Sequence, residues 1–469
     1  MSSTCELSHS DGVQRYIARA QELLTDRARR VARARRLRFD TIAVHGLYTV
    51  EEALACNQGS IMEPTYLASA QAYRDSDEME AALSYQIPTW CYTRIHNPTL
   101  GYLEDTLALL EGYGGDGPTS CCSYSSGMAA IENVTDTLLV KQGDAPPNFV
   151  ATCQVYGGTF QQFAVRKMQE RGIDLRWIVD SNNLDEWRSK IDRNTRFLYG
   201  ELPSNPGLAF FDVAKVAALA HEHGIPLVCD STVASPALLR PLVHGADIVI
   251  QSVTKVMSSS GTGLAGAVIC RNPITSNIPN DEMKADFAIY LKRWPQRDQG
   301  GCLHPFQATS TRNDLRTLRA RVDAWSQSAM SVARFLEKHP GIVQVNYLGL
   351  ESHPLHELAS RYMWLVDSEH DERYGKPVNR YSHLLSFRVK GGAQKTRDVF
   401  DRLQMIWRAT DLGRVKSVAT IPAISTHLLQ GESARNMACI PPDLVRLSVG
   451  GEHPDDIIAD LDQALVAAR

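Results

Sequence analysis

Lys255 and Asp230 are the residues of this sequence whose types and positions indicate the most specific chemistry. Asp230 directly follows the apolar run PLVC (226–229), and Lys255 follows IVIQSVT (248–254). Because the carboxyl ends of parallel strands meet at one edge of a sheet, we expect both side chains there. At such an edge a lysine can form a Schiff base with an aldehyde, and a carboxylate can keep a ring nitrogen protonated. By residue type alone, a surface lysine and a turn-capping aspartate are the more common arrangement.

Further segments add groups that suit a phosphate and an aromatic ring. The segment YSSGMAAI (124–131) places small residues at the start of an apolar helix, where free N–H groups and the helix dipole attract phosphate. The hydroxyls of Ser252 and Thr254 lie just before the lysine. Tyr156 follows another apolar run, so its ring can stack on a pyridine and its phenol can carry a proton. Together these groups predict a site for pyridoxal phosphate.

The elements that must position these groups alternate between strand and helix from about residue 120 to 270. Asp212 can cap a crossover helix that Gly224 ends, which favours parallel pairing of the flanking strands. The predicted strands lie at 149–152, 176–179, 197–199, 226–229, 247–250 and 267–270. The pattern predicts an α/β fold with a large, mostly parallel sheet.

The C-terminal part has a different pattern. After a helix-like stretch at 309–336, the segments 384–389 and 444–449 alternate like half-exposed antiparallel strands, and an amphipathic helix closes the chain. The polar segment 273–301 is predicted to be a long loop or insertion. We therefore predict three parts, which are an N-terminal helical arm (1–63), a cofactor-binding large domain (64–318) and a smaller α/β domain (319–469).

The N-terminal arm carries seven arginines between Arg27 and Arg38. Apolar residues recur at three-to-four-residue steps from Val13 to Leu37, which predicts an amphipathic helix packed within the protein's own oligomer. A nucleic-acid or membrane arm and a mitochondrial transit peptide are the alternatives, the latter weakened by the acidic residues in the segment.

Composition narrows the classes of partner. The 469 residues include 53 acidic and 49 basic side chains, so a net charge of −4 gives no overall attraction to nucleic acid. No apolar run is long enough to span a membrane, and the first residues lack a secretory pattern. The ten cysteines show no zinc-ligand spacing, which predicts free thiols and no metal site. We expect a cytoplasmic protein that acts on small solutes.

The order and spacing of nine motifs resemble one known family from about residue 60 to the end. The motifs are YTRIHNPT (92–99), SSGMAAIE (125–132), YGGTF (156–160), ELPSNP (201–206), DSTVASP (230–236), GADIVIQSVTK (245–255), LRTL (315–318), IPAISTH (421–427) and VRLSVGGE (445–452). The chain resembles the Cys/Met-metabolism family of pyridoxal-phosphate enzymes, which includes cystathionine γ-synthase, cystathionine lyases, methionine γ-lyase and O-acetylhomoserine sulfhydrylase.

This resemblance implies a fold and a set of roles. The fold is that of the aspartate-aminotransferase-like transferases (fold type I), in a homotetramer whose active sites are each shared by two subunits. Lys255 would form the Schiff base, Asp230 would pair with the pyridinium, and Tyr156 would stack on the ring. The other implied contacts are Asn205 at the ring hydroxyl, Ser126, Gly127, Met128, Ser252 and Thr254 at the phosphate, Tyr92 and Arg94 at the neighbouring subunit's phosphate, and Arg446 at the substrate carboxylate.

The resemblance also implies a reaction. Lys255 would move the Cα proton and Tyr156 would help a γ-substituent leave, which gives a vinylglycine-type intermediate. Addition of a nucleophile would complete γ-replacement on an O-acyl-homoserine or a similar amino acid. The alternative is γ-elimination on a thioether or halide. Gly158 favours replacement slightly, since methionine γ-lyases of the family carry a cysteine at this position.

Two segments depart from the family pattern. The usual Tyr and N-G-H-S/G-D stretch after the lysine is replaced by VMSSSGTG (256–263). Asp411 and Lys416 stand where the family usually carries serine and glutamate. We predict that Asp411 lies near Arg446 and influences the choice of substrate. The alternative is that Asp411, Arg414 and Lys416 only pair with one another.

Overall fold

The computed structural model describes residues 9–88, 90–143 and 145–468. Four helices come first: α1 (Asp11–Ala34), α2 (Phe39–His45), α3 (Val50–Cys56) and α4 (Ser76–Leu83). The predicted amphipathic helix is confirmed as α1, which Ser10 caps and which buries Val13 and Ala20. It packs on its own chain, where Tyr16 donates to Asp75 at 2.8 Å. Whether it also meets a second subunit stays a prediction.

A seven-stranded sheet forms the centre of the large domain. Its strands are β1 (Thr119–Tyr124), β2 (Asn148–Thr152), β3 (Asp174–Ile178), β4 (Thr195–Glu201), β5 (Leu227–Asp230), β6 (Ile248–Gln251) and β7 (Gly266–Arg271). The order is β1-β7-β6-β5-β4-β2-β3, and only the pairings of β7 are antiparallel. The six predicted strands are confirmed. The seventh, β1, was not predicted because its sequence, TSCCSY, lacks the β-branched aliphatic residues that mark the others.

Helices cover both faces of this sheet. They are α5 (Pro98–Glu111), α6 (Gly127–Leu138), α7 (Gly157–Gln161), continued by a π-helical segment (Gln162–Gln169), α8 (Leu184–Ser189) and α9 (Val213–Glu222). The predicted crossover is confirmed as α9, since the Asp212 carboxylate accepts the Lys215 N–H at 3.2 Å and Gly224 follows with φ of 65°. It joins the parallel neighbours β4 and β5.

The prediction of a long loop at 273–301 is wrong for most of this segment. It folds into α10 (Asp281–Ala285), α11 (Phe287–Leu291), a π-helical turn (Lys292–Gln296) and α12 (Arg297–Gln299). Side chains of Asn280 and Asp286 cap the first two helices, and Met283, Phe287 and Leu291 are buried. Three apolar residues at four-residue spacing thus drive helix formation within a polar sequence.

The C-terminal part contains a second sheet. Helix α13 (Pro305–Leu315) precedes this part. The elements of the C-terminal part are α14 (Leu318–Lys338), β8 (Ile342–Asn346), α15 (His356–Tyr362), β9 (Leu384–Val389), α16 (Gly392–Asp401), β10 (Trp407–Arg408), β11 (Val418–Thr420), α17 (Gly431–Met437), β12 (Leu444–Ser448) and α18 (Pro454–Ala467). The strand order is β10-β11-β12-β9-β8, with β9 and β12 antiparallel as predicted. We keep 1–63, 64–318 and 319–469 as proposed domain boundaries, the last at the start of α14.

The sequence predicts that no segment spans a membrane and that the cysteines are free thiols. Within the described ranges, no helix is both long and apolar enough to cross a bilayer. Nine cysteines are described and all are free thiols. The tenth, Cys5, lies outside the described residues.

Candidate active site

The carboxyl ends of β4, β5 and β6 bring the central candidates to one edge of the large sheet, as predicted. Glu201 and Asp230 are the last residues of β4 and β5 and lie opposite each other in the sheet register. Lys255 follows β6 through a short turn, in which its N–H donates to the Ser252 carbonyl at 3.0 Å. The parallel pairing of β4, β5 and β6 is therefore what gathers these side chains.

Asp230 is a buried carboxylate that accepts a hydrogen bond from the Thr232 N–H at 3.0 Å. Burial raises its pKa to about 6. Burial, and then the charge of Asp230, raise the pKa of the neighbouring Glu201. Within the described residues Asp230 has no cationic partner, so this carboxylate fits the protonated nitrogen of a pyridine ring.

Glu201 is a residue that the sequence analysis did not single out. One of its carboxyl oxygens accepts the Tyr156 N–H at 2.6 Å, and the other accepts the Asn205 N–H at 3.2 Å. It therefore fixes the backbone of two candidate ring contacts at once. The signal was present in the sequence, because Glu201 begins the motif ELPSNP directly after an apolar run.

The start of α6 lies against the turn before Lys255. Ser126 caps α6 through the Ala129 N–H at 3.1 Å, so the first N–H groups of the helix face outward. A Cβ atom at Gly127 would lie 2.8 Å from the Cβ of Ser252, so the helix start and the serine touch only because residue 127 is glycine. Free N–H groups beside a hydroxyl suit a phosphate.

The hydroxyl of Thr254 makes its hydrogen bonds to the backbone of Ala265. Its Oγ1 donates to the Ala265 carbonyl at 2.9 Å and accepts the Ala265 N–H at 3.0 Å. The side chain thus holds the turn after β6 against the approach to β7. Of the five phosphate candidates, Ser126, Gly127, Met128 and Ser252 lie around the start of α6, and Thr254 supports the turn.

The ring of Tyr156 lies over the start of α7. A Cβ atom at Gly158 would be 2.6 Å from Cε1 of this ring and 3.2 Å from the sulfur of Met128. Any side chain at position 158 would therefore displace the tyrosine ring or the methionine. Tyr156 is 38% exposed, which leaves the ring accessible to a ligand at the sheet edge.

Arg446, on β12, brings a positive charge from the second sheet to the same place. It is fully buried, and its guanidinium donates to Asn205 Oδ1 at 3.2 Å and to the Asp411 carbonyl at 2.7 Å. Its Nε has no acceptor in the described part of the chain. Burial lowers the pKa of Arg446 to about 10, so it stays charged at neutral pH. A buried guanidinium with an unused N–H suits a carboxylate.

The Lys255 amine is bound by Asp411. Nζ donates to Asp411 Oδ1 at 2.9 Å, and Arg414 Nε donates to Asp411 Oδ2 at 2.6 Å. Burial lowers the pKa of Lys255, with the charge of Asp411 acting in the opposite direction. The alternative that Asp411, Arg414 and Lys416 pair with one another is wrong for Lys416, whose Nζ lies 4.5 Å from the centre of the Trp407 ring.

Within one chain, Tyr92 and Arg94 contact each other and the segment around Arg297. The guanidinium carbon of Arg94 is 5.4 Å from the centre of the Tyr92 ring, and Arg94 donates to the carbonyl of Arg297. In the described ranges no hydrogen bond joins either residue to Lys255 or Asp230. Within one chain, their hydrogen bonds thus do not involve Lys255 or Asp230.

Known proteins resemble this chain over nearly its whole length. A model of the Cys/Met metabolism PLP-dependent enzymes matches residues 40–466. A homocysteine synthase of Schizosaccharomyces pombe is 32% identical over 92% of this chain and 98% of its own. An L-methionine gamma-lyase of Porphyromonas gingivalis is also 32% identical, over 91% of this chain and 96% of its own.

A solved structure shows the same fold. A protein of Campylobacter jejuni described as O-acetylhomoserine (thiol)-lyase superposes with a TM-score of 0.79 and 32% identity, over 92% of this chain and all of the other. That structure contains a pyridoxyl-lysine monophosphate. The predicted α/β architecture, with its large, mostly parallel sheet, is confirmed. On these findings the chain belongs to the Cys/Met metabolism family of enzymes that depend on pyridoxal phosphate.

Proposed function

We propose that this protein catalyses γ-replacement, in which the γ-substituent of an amino acid such as an O-acyl-homoserine is exchanged for a thiol. The observation that carries the proposal is the buried guanidinium of Arg446, which interacts electrostatically with Lys255 and Tyr156 and whose Nε–H has no acceptor in the described residues. A bound substrate carboxylate would place the amino-acid carbon next to the lysine amine. The relative described as a homocysteine synthase supports the same class.

The residues then divide the work. The bound cofactor supplies an electron sink for the substrate carbon, and Asp230 holds its ring nitrogen protonated. Nζ of Lys255 takes the proton from Cα, and the phenol of Tyr156 gives a proton to the leaving group. Residues 126–128 and Ser252 would hold the phosphate. Asn205, which accepts a hydrogen bond from Arg446, would also contact the ring.

A panel of γ-substituted amino acids tests this function. The holoenzyme is incubated with O-acetyl-, O-succinyl- and O-phospho-homoserine, with a thioether and with a halide, each with and without a thiol, and products are identified by mass. We expect a new thioether amino acid from at least one ester. If every substrate gives only an oxo acid in the presence of thiol, the protein catalyses γ-elimination and the proposal is wrong.

The assembly that we propose is a homotetramer whose active sites are each completed by a second subunit. The support is that, within one chain, Arg94 contacts Tyr92 and Arg297 and has no hydrogen bond to Lys255 or Asp230 in the described residues. In a shared site these residues would reach the phosphate held by the neighbour. The cytoplasmic location stays a prediction from the sequence.

We predict that two inactive variants restore each other's activity. Arg94→Ala lacks the phosphate contact and Lys255→Ala lacks the lysine, so each is expected to be inactive alone. Random exchange of subunits should yield about a quarter of the wild-type activity, since half of the pairs are hybrids with one intact site of two. Activity is measured after refolding of a one-to-one mixture. Failure to recover activity, with subunit exchange shown by mass, would exclude shared sites.

A second prediction concerns the choice of substrate. Asp411 lies between Arg446 and Lys255, so its charge faces the region where the substrate binds. Asp411→Ser is expected to change the order of γ-substituted substrates by kcat/KM. Lys416→Gln is the matched control, because Lys416 packs on Trp407 instead. An unchanged order in Asp411→Ser would show that Asp411 has no part in selection.

A further inference from the structure

The ion pair between Lys255 and Asp411 belongs to a closed ring of contacts. Lys255 Nζ donates to one oxygen of Asp411 at 2.9 Å, and Arg414 Nε donates to the other at 2.6 Å. Arg414 also donates to the carbonyl of Ser258 at 2.7 Å. Ser258 ends the turn that begins at Lys255. The contacts therefore return to the turn that carries the lysine, and they hold Asp411 in place from both sides.

The backbone of the 411–414 segment adds further constraints. The Asp411 carbonyl accepts from Arg446 at 2.7 Å, and its Oδ1 accepts the Leu412 N–H at 2.9 Å. Gly413 has φ of 67°, and a Cβ atom there would lie 3.2 Å from the Cβ of Lys255. This segment thus lies directly against the lysine, and the carboxylate has little freedom to turn away.

We propose that Asp411 is a positioning residue that holds the ammonium group of Lys255 whenever this lysine is not bonded to the cofactor. The inference rests on the proposed function, in which Lys255 leaves the cofactor and then acts as a base. When Lys255 takes the substrate proton, the Cα–H bond breaks and an N–H bond forms at Nζ. The electron pair stays with the substrate. Asp411 accepts a hydrogen bond from the new ammonium and itself gains no proton.

The geometry has a consequence for the pH at which Lys255 can act. Burial lowers the pKa of Lys255. A carboxylate in contact with Nζ favours the charged amine and so acts against this effect of burial. The other charged groups that act on this lysine are Arg414 and Arg446, which both favour the neutral amine. Without the Asp411 charge, burial and the two arginines would all lower the pKa of Lys255, so the amine would become neutral at a lower pH.

The test uses Asp411→Asn, which keeps the shape of the side chain, and Asp411→Ser, which removes its charge in a second way. Cofactor-free protein is mixed with pyridoxal phosphate between pH 6 and pH 9, and formation of the bond to the lysine is followed by visible absorbance. The acid limb of kcat is measured on the same variants. Asp443→Asn is the matched control, because Asp443 pairs with Arg388 on the second sheet.

We expect both Asp411 variants to take up the cofactor about threefold faster at pH 7, a factor that matches the strength of a half-exposed ion pair. The acid limb of kcat should move to lower pH in both, and neither readout should move in Asp443→Asn. Unchanged uptake and an unchanged limb in folded variants would overturn the proposal, as would a shift in only one of the two. Cofactor uptake is measured without an amino-acid substrate. Its result therefore tests the role of Asp411 even if the proposed reaction is wrong.

Discussion

Replacing Lys255 by alanine is expected to abolish the covalent bond between the protein and pyridoxal phosphate and to lower kcat by at least about three orders of magnitude. The physical reason is that Lys255 is the amine that follows β6 at the sheet edge where Asp230 ends β5, and it interacts with Arg446. Its loss removes both the attachment point and the base that moves the substrate proton. The check is the mass of the protein after treatment with borohydride, which makes the bond permanent.

The matched control for this variant is Lys416→Ala. Lys416 is close in sequence to Asp411 but lies against Trp407. After borohydride treatment, Lys416→Ala should therefore still show the mass of the protein with the cofactor attached. The cofactor should then be found on the peptide that contains Lys255. A borohydride-stable adduct that persists in Lys255→Ala would contradict the assignment.

Asp230→Asn is expected to lower kcat by about 100-fold or more while the protein stays folded. An amide has no charge with which to hold the ring nitrogen protonated, so the cofactor would withdraw electrons less well. The amide oxygen can still accept the Thr232 N–H, which keeps the local backbone in place. The measurement is kcat on the best ester substrate at saturating cofactor. A loss of less than threefold would contradict the role of Asp230.

The same variant should not lose stability when the cofactor is absent. Burial raises the pKa of Asp230 above its unfolded value, so the ionised carboxylate destabilises the fold increasingly as pH rises through about 6. Cofactor-free Asp230→Asn should therefore have a larger free energy of unfolding than wild type, and this gain should be greater at pH 8 than at pH 5 by about 1 kcal/mol. Urea unfolding at the two pH values measures this difference. The opposite trend would show that Asp230 stabilises the empty site.

Much of the sheet and of its edge could be predicted from the sequence. The strands of a buried parallel sheet are short apolar runs, and β2 to β6 are of this kind, so both their existence and their shared edge follow from the pattern. Asp230 ends such a run and Lys255 lies a short turn beyond another, which is why their position at one edge of the sheet was predictable. Asp212 and Gly224 likewise bound α9 through local chemistry, which needs no knowledge of distant residues.

What could not be predicted depends on contacts between distant parts of the chain. Asp411 meets Lys255 across 156 residues, and no local pattern gives that pairing. The part of Glu201 in holding Tyr156 and Asn205 needs two backbone contacts that only the folded site provides. The helices between 281 and 299 form because a few apolar residues find a core, which outweighs their polar composition.

γ-Replacement is tested most directly by measuring how the product divides between the thioether amino acid and the oxo acid. The best homoserine ester is kept at one saturating concentration while the thiol concentration is raised. We expect the thioether amino acid to increase with thiol concentration while the oxo acid decreases, because both would come from one enzyme-bound species on which thiol addition competes with release. Formation of oxo acid at a rate that thiol does not change, with no thioether at any thiol concentration, would contradict it.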